Sequence, residues 1–525
     1  MKKIFSLRNL PWFLFLSSIL VLNACRKHSA KPNNNGGDTT AKSRLSDEDS
    51  LKFYIWYYME SDSANIPQYL WYNQVPSNFN PLSAVFTNAD SVLDGQQGLT
   101  SFPLLNGKKV DRYSFLDRTG AVSSQIEGGQ LGDKGFDIRW AGSTKSDSTS
   151  LFVIWAYAAS PAGLSGVQRG WQITAVNGNK NVGYDGPGYL DGTGTNVNRV
   201  INALYGGNAA AFTFAREGKP DTTITISNAQ YSFNPILFDT VYNLSGTNVG
   251  YVVYNSFVSV YNYDNKGNET PTAAKTQIDN VFNKFQAAGI KDLIIDERYN
   301  GGGAVNTAEY LDNLIAPSGA TGGIMYTYSF NTPLENYYKS QNSDLSVKFQ
   351  KQGNLALNHV FFIVSNGTVS AAELTINNLK PVMDVKLIGT TTYGKPVGFI
   401  PQSIYVVNDT THQEDHVADL YAINFQTVNQ LSQGNYFNGM TPDKQEYDYV
   451  DLNWGDARDS SLIEAFNYIK NGAWARTYNA RLAAPSNLYR APADWNRPLI
   501  DRQFNGMIDQ RLNIMMPKML PVKKR

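Results

Sequence analysis

The chain has 525 residues, enough for several domains, and its 42% hydrophobic and 17% charged content is that of a globular protein. Lys and Arg total 45 and Asp and Glu total 45, so the net charge is zero, which argues against a nucleic-acid partner. One cysteine excludes an intrachain disulfide and a Cys-based zinc site, and four histidines leave little for metals.

Lys2, Lys3 and Arg8 precede an apolar run over residues 12–22, the pattern of a secretion signal occupying residues 1–24. It ends Leu22-Asn23-Ala24-Cys25, which resembles the lipobox of bacterial lipoproteins. That resemblance implies lipidation of Cys25 and a lipid-anchored protein of the bacterial cell envelope, periplasmic or outer-membrane. Residues 25–45, polar and rich in Gly and Asn, read as a flexible tether.

Residues 46–110 carry helical signals. Ser46-Asp47-Glu48-Asp49 can cap a helix on which Leu51, Tyr54, Ile55 and Tyr58 recur at helical spacing. Residues 111–228 read as short strands and one helix, with Val197, Val200, Ile201 and Leu204 on the helical face. The order, with Ser160-Pro161-Ala162-Gly163, then Gly170-Trp171-Gln172-Ile173 and Val176-Asn177-Gly178, resembles a PDZ domain of the bacterial protease type. The resemblance implies binding of an extended peptide by strand addition, with backbone N–H groups holding its carboxylate. Gly135, Phe136, Asp137 and Ile138 stand where that carboxylate-binding loop would lie. An unrelated small β-rich domain is the alternative.

Residues 229–475 alternate strands and helices, the α/β signature. Strand-like runs lie at 249–254, 293–295, 360–364 and 385–388. Ile278, Val281, Phe282 and Phe285 mark one amphipathic helix and Leu462, Ala465, Phe466 and Ile469 another. Residues 476–525 read as an irregular C-terminal tail. His412 and His416 fall in a polar turn between strand-like segments rather than on one helical face, so no metal site is expected.

Three loops carry chemistry. The first is Asp296-Glu297-Arg298-Tyr299-Asn300-Gly301-Gly302-Gly303, directly after a buried strand. Consecutive glycines can present backbone N–H groups to an oxyanion, or form a plain tight turn. A phosphate loop would need a Gly-Lys-Ser/Thr ending, which is missing. The second places Ser370 at a strand-to-helix turn, as a nucleophile or as a helix N-cap. The third is Thr392-Tyr393-Gly394-Lys395. Lys395 is a solvated charge or, if buried so that its charged form is disfavoured, a general base for Ser370.

These loops resemble motifs of the carboxy-terminal processing, or tail-specific, proteases over roughly residues 46–470. Asp296 to Gly303 is similar to the family's Asp-Leu-Arg-x-Asn-x-Gly-Gly, Val369-Ser370-Ala371-Ala372-Glu373 to its Ala-Ser-Ala-Ser-Glu, and Thr392-Tyr393-Gly394-Lys395 to its Thr-Phe-Gly-Lys. The resemblance implies an α/β core of the ClpP/crotonase-like kind, with an inserted or preceding PDZ-like β-rich domain and a small helical N-terminal region. It also implies a serine endopeptidase acting on protein or peptide substrates, with no cofactor. By the same resemblance Ser370 is the nucleophile and Lys395 the base. Gly302 and Ala371 supply oxyanion N–H groups, and Glu373 is an auxiliary group beside the dyad. Two departures stand out: Phe399 occupies the position where many members place a Gln to orient the Lys, and Pro396 follows the Lys in place of Gly. They keep open a second reading, an inactive peptide-binding lipoprotein that retains the protease fold.

Overall fold

The computed structural model describes residues 46–60, 66–101, 109–143, 146–186, 194–407, 414–474, 489–490 and 506–515. Cys25, the signal segment, the tether and His412 lie outside the described residues.

The apolar runs at 293–295 and 360–364 form the middle of a six-stranded sheet. Its order is Lys444–Gln445, Val385–Gly389, His359–Val364, Asp292–Asp296, Thr247–Tyr254, Ile236–Leu244. Only the last pair is antiparallel. Parallel strands are covered on both faces and so must be apolar on both. The two-residue period divides them here. Leu293, Ile295, Val360, Phe362 and Leu387 pack with helices Ala273–Ala287, Val305–Ile315 and Ala371–Leu379, while Ile294, Phe361, Ile363 and Ile388 meet Leu462 and Ala465 of helix Ser460–Asn471. Ile295 stands opposite Phe362, and Phe362 opposite Leu387. A slip of one residue would turn each to the wrong face, forfeiting about 1.5–3 kcal/mol per buried Leu, Ile or Phe. Because Asp292–Asp296 and His359–Val364 run parallel, the loops that follow them, carrying Gly302 and Ser370, leave the same edge of the sheet.

A second six-stranded sheet is ordered Gly302–Ala304, Gly506–Ile508, Val397–Phe399, Ile423–Asn429, Ile324–Phe330, Ser346–Lys348. It corrects the reading of residues 476–525 as an irregular tail. Gly506–Ile508 pairs parallel with Gly302–Ala304, and Ile508 also pairs with Phe399, with Met507 fully buried.

The N-terminal region begins as its cap predicts: the Asp49 N–H donates to Ser46 Oγ at 3.1 Å, and Leu51, Ile55 and Tyr58 of helix Asp47–Met59 are buried. It is not a separate layer. These residues share one core with Val397, Phe399, Leu420 and Ile423. Residues 111–126, read above as the start of the next region, join that core, and strand Phe115–Asp117 pairs antiparallel with residues 419–421. The β-rich region follows. Its sheet order is Tyr489–Arg490, Phe136–Ser143, Ser146–Ala156, Gln172–Val176, Ala209–Arg216, Lys219–Ser227, and it packs on Val197, Val200 and Ile201 of helix Thr195–Ile201. Among the described residues no helix is long and apolar enough to cross a membrane.

Candidate active site

The Ser370 loop is fastened to the glycine loop. The Val369 N–H donates to Asn300 O at 2.9 Å, Thr368 Oγ1 donates to Glu297 O at 2.8 Å, and Ser365 Oγ donates to Arg298 O. Ser370 then turns the chain into helix Ala371–Leu379 with φ 59° and ψ −103°. A non-glycine residue in such a conformation costs on the order of 1–3 kcal/mol, so the surrounding bonds must hold it there.

One side chain does most of that. Glu373, fully buried, accepts four hydrogen bonds: from Thr392 Oγ1 at 2.5 Å, Gly394 N at 2.7 Å, Lys395 N at 2.8 Å and Ser370 N at 2.9 Å. Burial pushes its carboxyl above the ordinary value while the four donors pull it back. Glu373 therefore ties the backbone of Ser370 to that of Lys395, more than the auxiliary role expected of it. The Ser370 N–H is used in this bond; the Ala371 N–H is the next along the helix start.

The Lys395 loop is fixed from the other side. Gly394 has φ +89°, and a Cβ there would lie 2.5 Å from both Gly439 N and Phe437 O, so only glycine fits. Its carbonyl accepts from Tyr113 Oη at 2.6 Å and Arg112 at 3.2 Å. Lys395 is 1% exposed. Its Nζ lies 4.1 Å from the centre of the Phe399 ring and 5.1 Å from that of Tyr113. Ser370 Oγ, also buried, is 3.5 Å from Val397 O. The three loops thus meet at one place, as the motifs require.

Gly302 is where an expectation fails. Its N–H, assigned above to an oxyanion, donates to Asn300 Oδ1 at 2.9 Å. The tight turn of Asn300-Gly301-Gly302 lets the amide side chain reach the backbone two residues on, a common asparagine habit. What Gly302 provides is closeness: a Cβ on it would lie 2.4 Å from Gly506 O, 2.8 Å from Val369 O and 2.9 Å from Ala371 N.

In the β-rich region Gly135, with φ +77°, directly precedes a strand that Phe136, Asp137 and Ile138 begin and that pairs with Trp155 and Ala156. The Ile138 N–H is taken by Asp137 Oδ1 at 2.7 Å, and Tyr205 Oη donates to the same oxygen at 2.5 Å. Burial raises the Asp137 carboxyl above its ordinary value. A cleft lined by Arg298, Ser365, Thr390, Glu446 and Asp448 opens near the ends of the central strands, but it holds neither Ser370 nor Lys395.

Residues 248–443, which contain all three loops, match the model of peptidase family S41. The chain carries an S41 peptidase domain. It is similar to the carboxy-terminal processing protease CtpA of Bacillus subtilis (strain 168), with 24% identity over 327 residues. That match covers 62% of this chain and 58% of the relative, so it spans less than two thirds of the relative's length. A crystal structure from Bacteroides fragilis NCTC 9343, assigned to the S41 proteases, matches with a TM-score of 0.57 at 20% identity, covering 80% of this chain and 97% of its own. The mixed α/β fold is that of the S41 proteases.

Three contributors to this site were missed in the sequence. Tyr113 and Arg112 come from the N-terminal region and Gly506 from the far end of the chain. None stands in a local motif, and only alternation around Phe115 could have hinted that residues 111–117 pair with a strand.

Proposed function

We propose that the chain is a serine endopeptidase held at the bacterial cell envelope by lipid on Cys25. In this reading Ser370 Oγ attacks the carbonyl carbon of the scissile peptide while the Lys395 amine takes its proton. The tetrahedral oxyanion lies at the start of helix Ala371–Leu379, where the Ala371 N–H and the helix dipole favour negative charge. The Lys395 ammonium then passes its proton to the departing amine, leaving Ser370 acylated until water releases it. The observation that carries the reading is Glu373, whose buried carboxylate binds the backbone of both Ser370 and Lys395. The β-rich region captures extended C-terminal segments as an added strand along residues 136–141, the part of that edge not paired with Tyr489–Arg490, beside helix Thr195–Ile201.

Peptide hydrolysis by protein lacking residues 1–25 tests this. Turnover should disappear in Ser370→Ala and in both Lys395→Ala and Lys395→Arg, since Arg stays charged. EDTA and His359→Ala should leave it intact. Turnover by Lys395→Arg alongside an inert Ser370→Ala would place the base elsewhere. Burial of both Ser370 and Lys395, together with Phe399 in place of Gln, favours a second reading, a peptide-binding lipoprotein without turnover. Peptide binding with no hydrolysis by the wild-type chain would select it.

A further inference from the structure

The position that departs from the resemblance, Phe399, also holds its ring against the Lys395 side chain. Its ring centre is 4.1 Å from Nζ, with Tyr113 at 5.1 Å, both inside the ~6 Å over which an aromatic face attracts a cation. We propose that Phe399 and Tyr113 form an aromatic cage that aims the Lys395 side chain and stabilises the ammonium it becomes on taking the Ser370 proton. The proposal rests on the Ser370–Lys395 reading above.

The cage is rigid. Phe399 is fully buried and packs edge-on against Phe115 at 5.7 Å and Tyr421 at 5.8 Å, two rings that themselves stack at 4.7 Å and 2°. Its backbone is paired on both sides, to Ile423 and to Ile508. Tyr113 is fixed at two ends: its N–H donates to Asp111 Oδ1 at 3.0 Å and its hydroxyl to Gly394 O. The face that receives Nζ is therefore built before Lys395 is charged.

The two rings do not contribute equally. The Arg112 guanidinium lies 4.6 Å from the Tyr113 ring centre and draws on the same quadrupole. The Phe399 ring centre is nearer to Nζ, at 4.1 Å against 5.1 Å for Tyr113. The charged and titratable groups around the site are Glu373, whose oxygens face backbone N–H groups of the Lys395 loop, with Asp111, Arg112, Tyr393 and Tyr436 behind it. Phe399 thus carries most of the effect.

The chemistry gives the cage a direction. A ring face attracts the ammonium and is indifferent to the neutral amine. Before attack Lys395 must be neutral; as the O–H bond of Ser370 breaks and the N–H bond forms, positive charge grows on Nζ. The attraction therefore strengthens on the way to the transition state, the kind of interaction that raises kcat rather than tightening substrate binding. A Gln at this position would aim the amine through its carbonyl oxygen; the phenyl face does so through its π cloud. Phe399 is a positioning residue, acting only through Lys395.

The experiment replaces Phe399 in the full chain, in detergent micelles, with mono-, di- and trifluorophenylalanine, which drain the ring face while keeping its shape. A Leu variant, which has no ring, ends the series. Across the fluorinated series kcat for a peptide substrate should fall stepwise by about 3- to 30-fold in total, with KM unchanged. The basic limb of the pH–rate profile should move to lower pH in the same order, because the ammonium loses support. Phe399→Leu, which removes the ring, should lose at least as much kcat as the trifluorinated variant. A flat fluorination series, with Ser370→Ala and Lys395→Ala inert in the same assay, would overturn the cage and leave the dyad standing. Turnover by Lys395→Ala would overturn both.

Discussion

Gly302→Ala tests how closely the glycine loop is pressed against the Ser370 elbow. Gly302 has φ +97°, and its absent Cβ would fall within 3 Å of three backbone atoms, Gly506 O, Val369 O and Ala371 N. Backbone cannot rotate away as a side chain can. Two costs add: about 1–2 kcal/mol for an L-residue in a left-handed conformation and about 1–3 kcal/mol for overpacking, so about 2–5 kcal/mol together. Gly289→Ala is the control. It has φ +60° and nothing within 4 Å of its missing Cβ, so it incurs only the first cost. Urea unfolding of the two variants isolates the clash as their difference. In peptide hydrolysis Gly302→Ala should lose on the order of 100-fold in kcat/KM, because a shift of about 1 Å at the nucleophile costs that much, while Gly289→Ala should match wild type. Equal urea midpoints and equal activities in the two variants would refute the argument that the Gly302 backbone sets the site's geometry.

Glu297 is fully buried, and neither carboxylate oxygen has a hydrogen-bond partner among the described residues. Burial, then the negative charge of Asp312 and of Asp296, holds its carboxyl well above the usual range. An acid whose folded value is raised loses stability as pH climbs past its unfolded value of about 4.3; Glu297→Leu should therefore stabilise the chain by at least about 1 kcal/mol at pH 7 and by little near pH 4, and an equal gain at both would discount the charge argument. Asp137 occupies the Ile138 N–H, a donor to the peptide carboxylate in the proposed binding mode. Asp137→Ala should tighten binding of a free-acid peptide several-fold without helping its amide, and calorimetry giving identical changes for the two would remove the carboxylate from the binding mode. Cys25→Ala should release the protein from membranes or block its maturation, and unchanged fractionation with no lipid mass on the mature N-terminus would remove the anchor.

Local signals explain what was legible in the sequence. The Ser370 and glycine loops each follow an uninterrupted apolar strand, and Gly394-Lys395 follows another, so three short windows sufficed to bring the chemistry to one edge. The central sheet was legible for the same reason, since its strands are apolar on both faces. What escaped depends on contacts between segments far apart in the chain. Tyr113 reaches Gly394 across 281 positions, and no periodicity near residue 113 announces it. Gly506-Met507-Ile508 is too short to show a strand's alternation, and its place is set by the gap between Gly302 and Phe399. The engaged Gly302 N–H was within reach: an asparagine two residues before a glycine is itself a turn signal.

The strand Gly506–Ile508 lies between the strand that ends the glycine loop and the strand that follows Lys395. Synthesis delivers it after both of the strands it joins. The loops bearing Gly302, Ser370 and Lys395 leave the ribosome well before the segment that sits between two of them, and domains fold as their parts become available. During that interval strand Gly302–Ala304 is not joined to the rest of the second sheet and keeps only its pairing with Phe257. Order of emergence thus acts as a safeguard, since a nascent chain that already holds Ser370 and Lys395 still lacks the strand that joins the glycine loop to the second sheet until residues 506–508 have emerged.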